Sequence, residues 1–419
     1  MTEQELLNII EDRKQELFGL LSSLIKIDSQ NFSSYGNEIE VADFIGDYCR
    51  SLGLETKVYS PLDVPGLRES DDYFPGRTLE TRRCVTSVLK GKEDRNGLML
   101  MAHLDTVAVG DPANWRKDPF CGEIENGKIY GRGACDDKYG LATIMFLLKI
   151  FKEKGFVPRA NLVFGAYGDE EEGGSHGAMA CCMTSPSERI VNLDGSRFNY
   201  WTAASGGGDI EVDFHEEGNI SSASGVARML PYVLDCIDEF GRDRDAELAA
   251  NPKFGDASGG GYGLMYLDIH LGNNGMDLER GRVKFEYFTD RTREEMDKAL
   301  DKTVERINEK LRPLGGVCDS WKRVTRHFHY KYSDPDGDSV REMKAAASRV
   351  SGRELIPSGS ALSDLSVILK YGSPDSFGLG IGGGFSDEGG SHQNNEALSC
   401  DEFLEFAKII AAYTLNYLK

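Results

Sequence analysis

Long apolar runs, positive charge and histidine are all scarce in this chain. No apolar stretch approaches the roughly 20 residues that a membrane-crossing helix requires, so no helical span is expected. Lysine and arginine number 48 against 69 aspartates and glutamates, a net charge of −21. With no basic stripe to neutralise phosphates, neither nucleic acid nor an anionic membrane is an expected partner. Cys-x-x-Cys is absent, and the 9 cysteines, which include the adjacent Cys181-Cys182, fall at irregular positions. That usage predicts free thiols in a reducing compartment rather than a disulfide framework. The opening Met1-Thr2-Glu3-Gln4-Glu5 is acidic and lacks the basic and apolar segments of a secretory leader, so the cytoplasm is the expected location. Histidine occurs only 7 times, which gives weight to where each one falls.

At 419 residues the chain exceeds one ordinary core, and two domains are expected. Thr2 and Glu5 form a capping box ahead of leucines and isoleucines at helical spacing through Ile25. A second helix is predicted over Glu38–Leu52 and a strand over Glu55–Tyr59, followed by an irregular excursion, Pro61–Arg83. Strands resume at Cys84–Lys90 and Leu98–Ala102, and Asn126-Gly127 marks a hairpin turn. An apolar helix, Gly140–Phe151, separates these from the buried-strand runs Leu162–Tyr167 and Ile190–Leu193.

The pattern changes near Ser205-Gly206-Gly207-Gly208. Strands at Ile210–Phe214, Met265–Leu271 and Val283–Phe288 mix with helices at Val226–Phe240 and Arg293–Leu311, and Gly241–Gly263 reads as a long loop. Residues 205–326 are therefore expected to form an inserted α+β domain, with 1–204 and 327–419 as the two parts of the first. The predicted class is α/β, a mixed open sheet flanked by helices with a smaller inserted α+β domain.

Three successive strand ends carry metal-binding chemistry. Leu98–Asp105 delivers His103 and Asp105 two residues apart, on one face of a strand, where the carboxylate can meet the imidazole and fix its orientation. Leu162–Tyr167 empties into Asp169-Glu170-Glu171-Glu172 and two glycines, a poor place for a merely solubilising charge run. Adjacent carboxylates there can divide two roles, one ligating a metal and the other taking a proton from water. Ile190–Leu193 ends at Asp194. Asp136-Asp137 stands in a glycine-bounded turn at a helix start, where a carboxylate can instead cap the helix. His392 lies in a glycine-rich loop after the strand Ser376–Leu379. Ligands gather beyond the carboxyl ends of strands in an open α/β sheet, so these groups can converge.

Taken together, His103-Leu104-Asp105, Gly131-Arg132-Gly133 through Lys138, Asp169-Glu170-Glu171 with Gly173-Gly174, Asp194, and His392 with Glu396 resemble the dizinc exopeptidase and amidohydrolase family. That family includes glutamate carboxypeptidase, acetylornithine deacetylase, aminoacylase and carnosinase-type dipeptidases. The resemblance implies that Asp136 bridges two divalent ions, zinc or else cobalt or manganese. It assigns His103 and Asp194 to one ion, Glu171 and His392 to the other, Glu170 as general base and Asp105 as the orienter of His103. Ser363 and Asp364 resemble a substrate-facing turn. The implied substrate is a dipeptide or related peptide, with N-acyl amino acids as the alternative, and the implied assembly is a homodimer through the inserted lid domain.

Several positions depart from the family pattern. Tyr139 replaces the usual glycine after Lys138. Ser222 falls where family members place a substrate-polarising histidine, and Val283–Phe288 lacks the arginine expected near its end unless Arg291 substitutes. A metal-retaining binding protein without turnover is thus a second reading. Gly173-Gly174-Ser175-His176-Gly177 also fits a serine-hydrolase elbow, but the acidic run beside it would oppose a developing oxyanion. Gly378, Gly380 and Gly383 fit a dinucleotide fingerprint without a helix to follow.

Overall fold

The computed structural model describes residues 1–32, 34–217, 223–253, 263–273, 277–360 and 362–419. The chain divides into two compact units. The first comprises Met1–Thr202, Tyr332–Ser358 and Val367–Lys419, and the second Ala203–Lys331 with Gly359–Ser366. The passage out of the second unit thus falls at 331 rather than 326, and Ser363 and Asp364 belong to that unit.

The strands run, in chain order, β1 (Glu55–Tyr59), β2 (Cys84–Leu89), β3 (Glu93–His103), β4 (Ile124–Glu125), β5 (Lys128–Tyr130), β6 (Ala160–Tyr167), β7 (Arg189–Asn192) and β8 (Asn199–Ala204). They continue with β9 (Gly206–Glu216), β10 (Leu264–Asn273), β11 (Asp277–Thr289), β12 (Gly316–Arg323), β13 (Lys331–Tyr332), β14 (Ile356–Ser360), β15 (Ser376–Leu379) and β16 (Ala397–Ser399).

The first unit is built on a mixed sheet of order β1-β2-β6-β3-β7-β15-β8-β13, with β14 also pairing β8. Its centre, β6-β3-β7-β15, is parallel, whereas β1-β2-β6 is antiparallel. Every residue of β6 is buried, as a central strand covered on both faces requires. The helices Lys138–Glu153 and Cys400–Leu418 bury apolar residues around most of their circumference against this sheet and their neighbours. A small sheet, β16-β5-β4, turns through Asn126 and Gly127, both at positive φ as a tight hairpin demands.

The expected N-terminal helix is two helices, Glu3–Asp12 and Lys14–Ile25, broken at Arg13. Its Thr2–Glu5 capping box forms on both sides. Lys138 is buried and donates to the carbonyls of Leu24 and Ile27 at 3.0 and 2.8 Å, closing the end of the second of these helices.

The second unit is an antiparallel sheet of order β10-β11-β9-β12, packed by two helices around Ile210, Phe214, Val233, Ile237, Phe285 and Ile307. Arg293–Leu311 forms as predicted. The other helix spans Ala223–Ala250, well past the expected end at Phe240. Gly241 does not stop it, because the next turns are anchored by buried Leu248 and by Arg244, which donates to Glu247 at 2.5 Å. β12 carries Asp319, Ser320, Lys322 and Arg323 on an edge and so shows no clean alternation in the sequence. Ser222 lies outside the described residues. Arg291 has its Nε 3.3 Å from Glu247 Oε1.

Candidate metal centre

The four parallel strands β6, β3, β7 and β15 release their chains on one edge of the sheet, and each exit carries a candidate group. His103 is the last residue of β3 and is buried. Its Nδ1 donates to the main-chain oxygen of Asp105 at 2.8 Å, which turns Nε2 toward Asp136 Oδ1, also at 2.8 Å. The other oxygen of the same carboxylate, Asp136 Oδ2, lies 3.3 Å from His392 Nε2. His392 Nε2 in turn meets Glu171 Oε2 at 2.7 Å, while Glu171 Oε1 accepts from the N–H of Val107 at 3.0 Å. Ligand atoms of His103, Asp136 and Glu171 all lie within 4.8 Å of one another.

The electrostatics fit a site built for cations. Burial alone would lower the pKa of His103, but the hydrogen bond and charge of Asp136 raise it well above the ordinary imidazole value. Burial likewise opposes protonation of His392, yet Glu171 and Asp136 hold it up at about 11. Against its own burial, Asp136 is kept below the usual carboxylate range by these two histidines. Protons on the imidazoles thus balance the carboxylates where metal ions would otherwise do so.

Asp105 Oδ1 lies 3.8 Å from His103 Nδ1, beyond hydrogen-bond reach. Asp105 Oδ2 accepts from Asn31 Nδ2 at 2.7 Å and from the N–H groups of Glu170 and Glu171 at 2.9 and 3.1 Å. The main chain of Asp105 orients the histidine, and its side chain holds the acidic turn. Glu170 is therefore fixed through its backbone, and its charge reaches His103.

Asp137 is the N-cap of the helix Lys138–Glu153, but its side chain makes no capping bond. It accepts instead from the N–H of His103 at 3.2 Å. Asp194 follows β7, and its charge bears on Asp137 and Tyr139; it is outside the tight three-residue cluster. Ser363, in the second unit, accepts from the N–H of Leu365 at 3.1 Å, a local turn contact, and its neighbour Asp364 is buried.

A buried ionic network beneath the acidic turn carried no signal that a motif search would catch. Asp169 Oδ1 accepts from Arg77 Nε at 2.9 Å and lies 3.4 Å from Arg82. Arg82 also donates to Glu38 at 2.6 Å and to Asn31 Oδ1 at 2.9 Å, linking the network to Asp105. His176 Nε2 accepts from the N–H of Phe74 at 3.1 Å, so its Nδ1 must be the donor to Asp169 Oδ2 at 2.6 Å. With both ring nitrogens engaged, His176 has none left to activate its neighbour Ser175. The one hint in the sequence is a pair of arginines, Arg77 and Arg82, in a segment leading directly into a buried strand.

Glu396 plays the matching part under Asp136. It accepts from Arg132 at 2.6 Å and from the N–H groups of Gly133 and Cys135 at 3.1 and 2.6 Å. The glycines that mimic a dinucleotide fingerprint serve packing. A Cβ on Gly378 would fall 1.9 Å from the Trp201 ring nitrogen, and one on Gly380 would meet Gly195 at 2.3 Å.

The family described as peptidase family M20/M25/M40 matches residues 99–416. An uncharacterized metallohydrolase of Methanocaldococcus jannaschii is 32% identical over 174 residues, 40% of this chain and 39% of the relative. An N-formyl-4-amino-5-aminomethyl-2-methylpyrimidine deformylase of Halalkalibacterium halodurans is 28% identical over 181 residues, 43% of this chain and 38% of the relative. These matches span about two-fifths of the length of either relative. The structure of the dipeptidase Dug1p from Saccharomyces cerevisiae shares the fold, with a TM-score of 0.75 at 18% identity over 99% of this chain and 98% of that one.

Proposed function

The chain belongs to peptidase family M20/M25/M40, and from that premise we propose that it is a metal-dependent hydrolase of small peptide or amide substrates, dipeptides or related peptides. One observation carries the reading: the two oxygens of Asp136 face two different histidines, at 2.8 and 3.3 Å. A carboxylate so placed suits a bridge between two ions. His103 and Asp194 would complete one site, Glu171 and His392 the other. The donors are imidazole nitrogens and carboxylate oxygens, while the neighbouring Cys135 directs its thiol at the carbonyl of Ala397 at 3.5 Å. That set fits zinc, and also cobalt or manganese.

When bound, such ions would supply Lewis-acid polarisation of the scissile carbonyl and a more acidic water. The protein's share is positioning and proton transfer. Glu170 takes the proton of the attacking water and returns it to the leaving amine. Asp105 keeps Glu170 in place through the backbone, and the main-chain oxygen of Asp105 holds His103 in the tautomer that presents Nε2.

The likeness to a deformylase favours a second substrate class, N-acylated amines, for the same site. In the second unit, edge strand β10, paired on one side with β11, exposes Met265, Leu267, Ile269 and Leu271, every second residue along it. An open apolar edge of this kind supports a homodimer formed by two copies of β10. No helix among the described residues is long and apolar enough to cross a membrane. None of the nine cysteines forms a disulfide and eight of them are buried, which supports a cytoplasmic location.

Turnover of a panel of dipeptides and N-acyl amino acids should be lost on chelation and restored by zinc, cobalt or manganese. Glu170→Ala should retain its ions and lose turnover. Chelator-resistant activity, or a Glu170→Ala enzyme as fast as the wild type, contradicts this reading.

A further inference from the structure

Tyr139 stands in the first turn of the helix Lys138–Glu153, fully buried, its ring edge-on to Phe406 with centroids 5.4 Å apart. Its hydroxyl donates to the carbonyl of Gly195 at 3.3 Å and accepts from the N–H of Ile381 at 3.2 Å. These two residues belong to different loops. Gly195 directly follows Asp194 after β7, and Ile381 opens the glycine-rich loop after β15 that ends at His392.

The two loops are already seamed by main chain. The N–H of Phe198 donates to Gly380 at 2.8 Å, and that of Arg197 to Gly382 at 3.0 Å. Their backbones touch without a spacer, since a Cβ on Gly380 would lie 2.3 Å from the nitrogen of Gly195. Gly195 itself holds φ +147°, and a Cβ there would lie 2.3 Å from the Trp201 ring. Into this seam the phenol adds a side-chain rivet, satisfying a part-buried carbonyl and a buried N–H.

We propose that Tyr139 is a positioning residue whose hydroxyl locks the Asp194 turn against the His392 loop and so sets how tightly one of two bound ions is held. The inference rests on the reading of Asp194 and His392 as ligands given above. The effect is one-sided. Gly195 adjoins Asp194, whereas Ile381 lies at the far end of its loop from His392, and the near end of that loop is pinned separately by Glu396 through Arg132, Gly133 and Cys135. Loss of the hydroxyl therefore loosens the ion that Asp194 would hold and spares the one shared by Glu171 and His392.

The test is cobalt titration of metal-free wild type, Tyr139→Phe and Asp194→Asn, read by equilibrium dialysis and by visible absorption at each equivalent, with thermal melting as a check on folding. Outer partners of metal ligands are typically worth ten- to hundredfold in affinity. Tyr139→Phe should weaken one ion by about tenfold or more and leave the other within about threefold, and Asp194→Asn should weaken the same ion. A merely structural tyrosine would lower the melting temperature and shift both affinities alike, which overturns the proposal. So does a Tyr139→Phe protein that binds both ions like the wild type while Asp194→Asn loses one. If Asp194→Asn keeps both ions at wild-type affinity, the ligand assignment itself fails and the inference falls with it.

Discussion

The acidic turn Gly168–Gly177 and the glycine-rich loop Gly382–Glu396 bring a carboxylate and an imidazole to the same aspartate by opposite means. The turn is built over desolvated charge. Asp169, with φ +67°, points inward to Arg77, Arg82 and His176, all of them buried. There is no room to relax: a Cβ on Gly168 would fall 1.8 Å from Glu38, and one on Gly174 1.9 Å from Asp169. The loop is fastened at its outer part by pairs that face water, Arg197 with Asp387 and Arg116 with Glu388, the latter 77% and 79% exposed. At its two ends it is tied to buried groups, to Tyr139 through the N–H of Ile381 and to Arg132 through Glu396. Groups that share a site need not share a mode of support, and the turn that carries the proposed general base is the one given the buried, charged foundation.

The largest expected contrast comes from breaking that foundation. Asp169→Ala strands Arg77 and Arg82 without their common partner and should cost about 3–5 kcal/mol of stability by chemical denaturation. A loss below about 1 kcal/mol would show that the turn is held by its glycines and backbone alone.

A second contrast is read by pH. In metal-free protein His392 titrates near 11 because Glu171 and Asp136 outweigh its burial, against about 6.5 in the unfolded chain. A raised folded pKa stabilises fully below the unfolded value and loses its effect as pH climbs through the folded one. Metal-free protein should therefore lose stability between about pH 6.5 and 11, and His392→Ala should flatten that decline. By the same linkage, zinc added at pH 7 should displace protons from His103 and His392, measurable as buffer-dependent heat. Proton-neutral binding would mean the imidazoles are not the ligands.

The smallest effect is expected at the surface. Arg197→Ala removes an exposed pair and should change stability by no more than about 1 kcal/mol. A cost like that of Asp169→Ala would erase the distinction between turn and loop.

Much of this arrangement is legible in the sequence because strand ends announce themselves. Short apolar runs that lead to His103, Glu170-Glu171 and Asp194 predicted buried strands and the strand ends beyond which their groups can gather. What escaped notice depends on pairing across long separations. Arg77, Arg82 and Glu38 read as ordinary charged residues until tertiary packing buries them together. The sequence placed Asp105 beside His103, but only the folded turn reveals that its main-chain oxygen accepts from the imidazole and that its Oδ2 gathers three other donors. The helix through Gly241 was hidden by a residue that weakens helices locally, and outlasted it through the packing of Leu248. Tyr139 was visible as a departure, but its two hydrogen-bond partners lie on loops distant in sequence.

The central claim is that turn and loop meet at two ions bridged by Asp136. Its most direct test is the number of divalent ions bound per chain by wild type and by Asp136→Asn, measured by metal analysis after equilibrium dialysis against zinc. The wild type should hold about two ions, and Asp136→Asn should lose affinity for both. A wild type saturating at a single ion, or an Asp136→Asn protein that keeps two at unchanged affinity, contradicts the account.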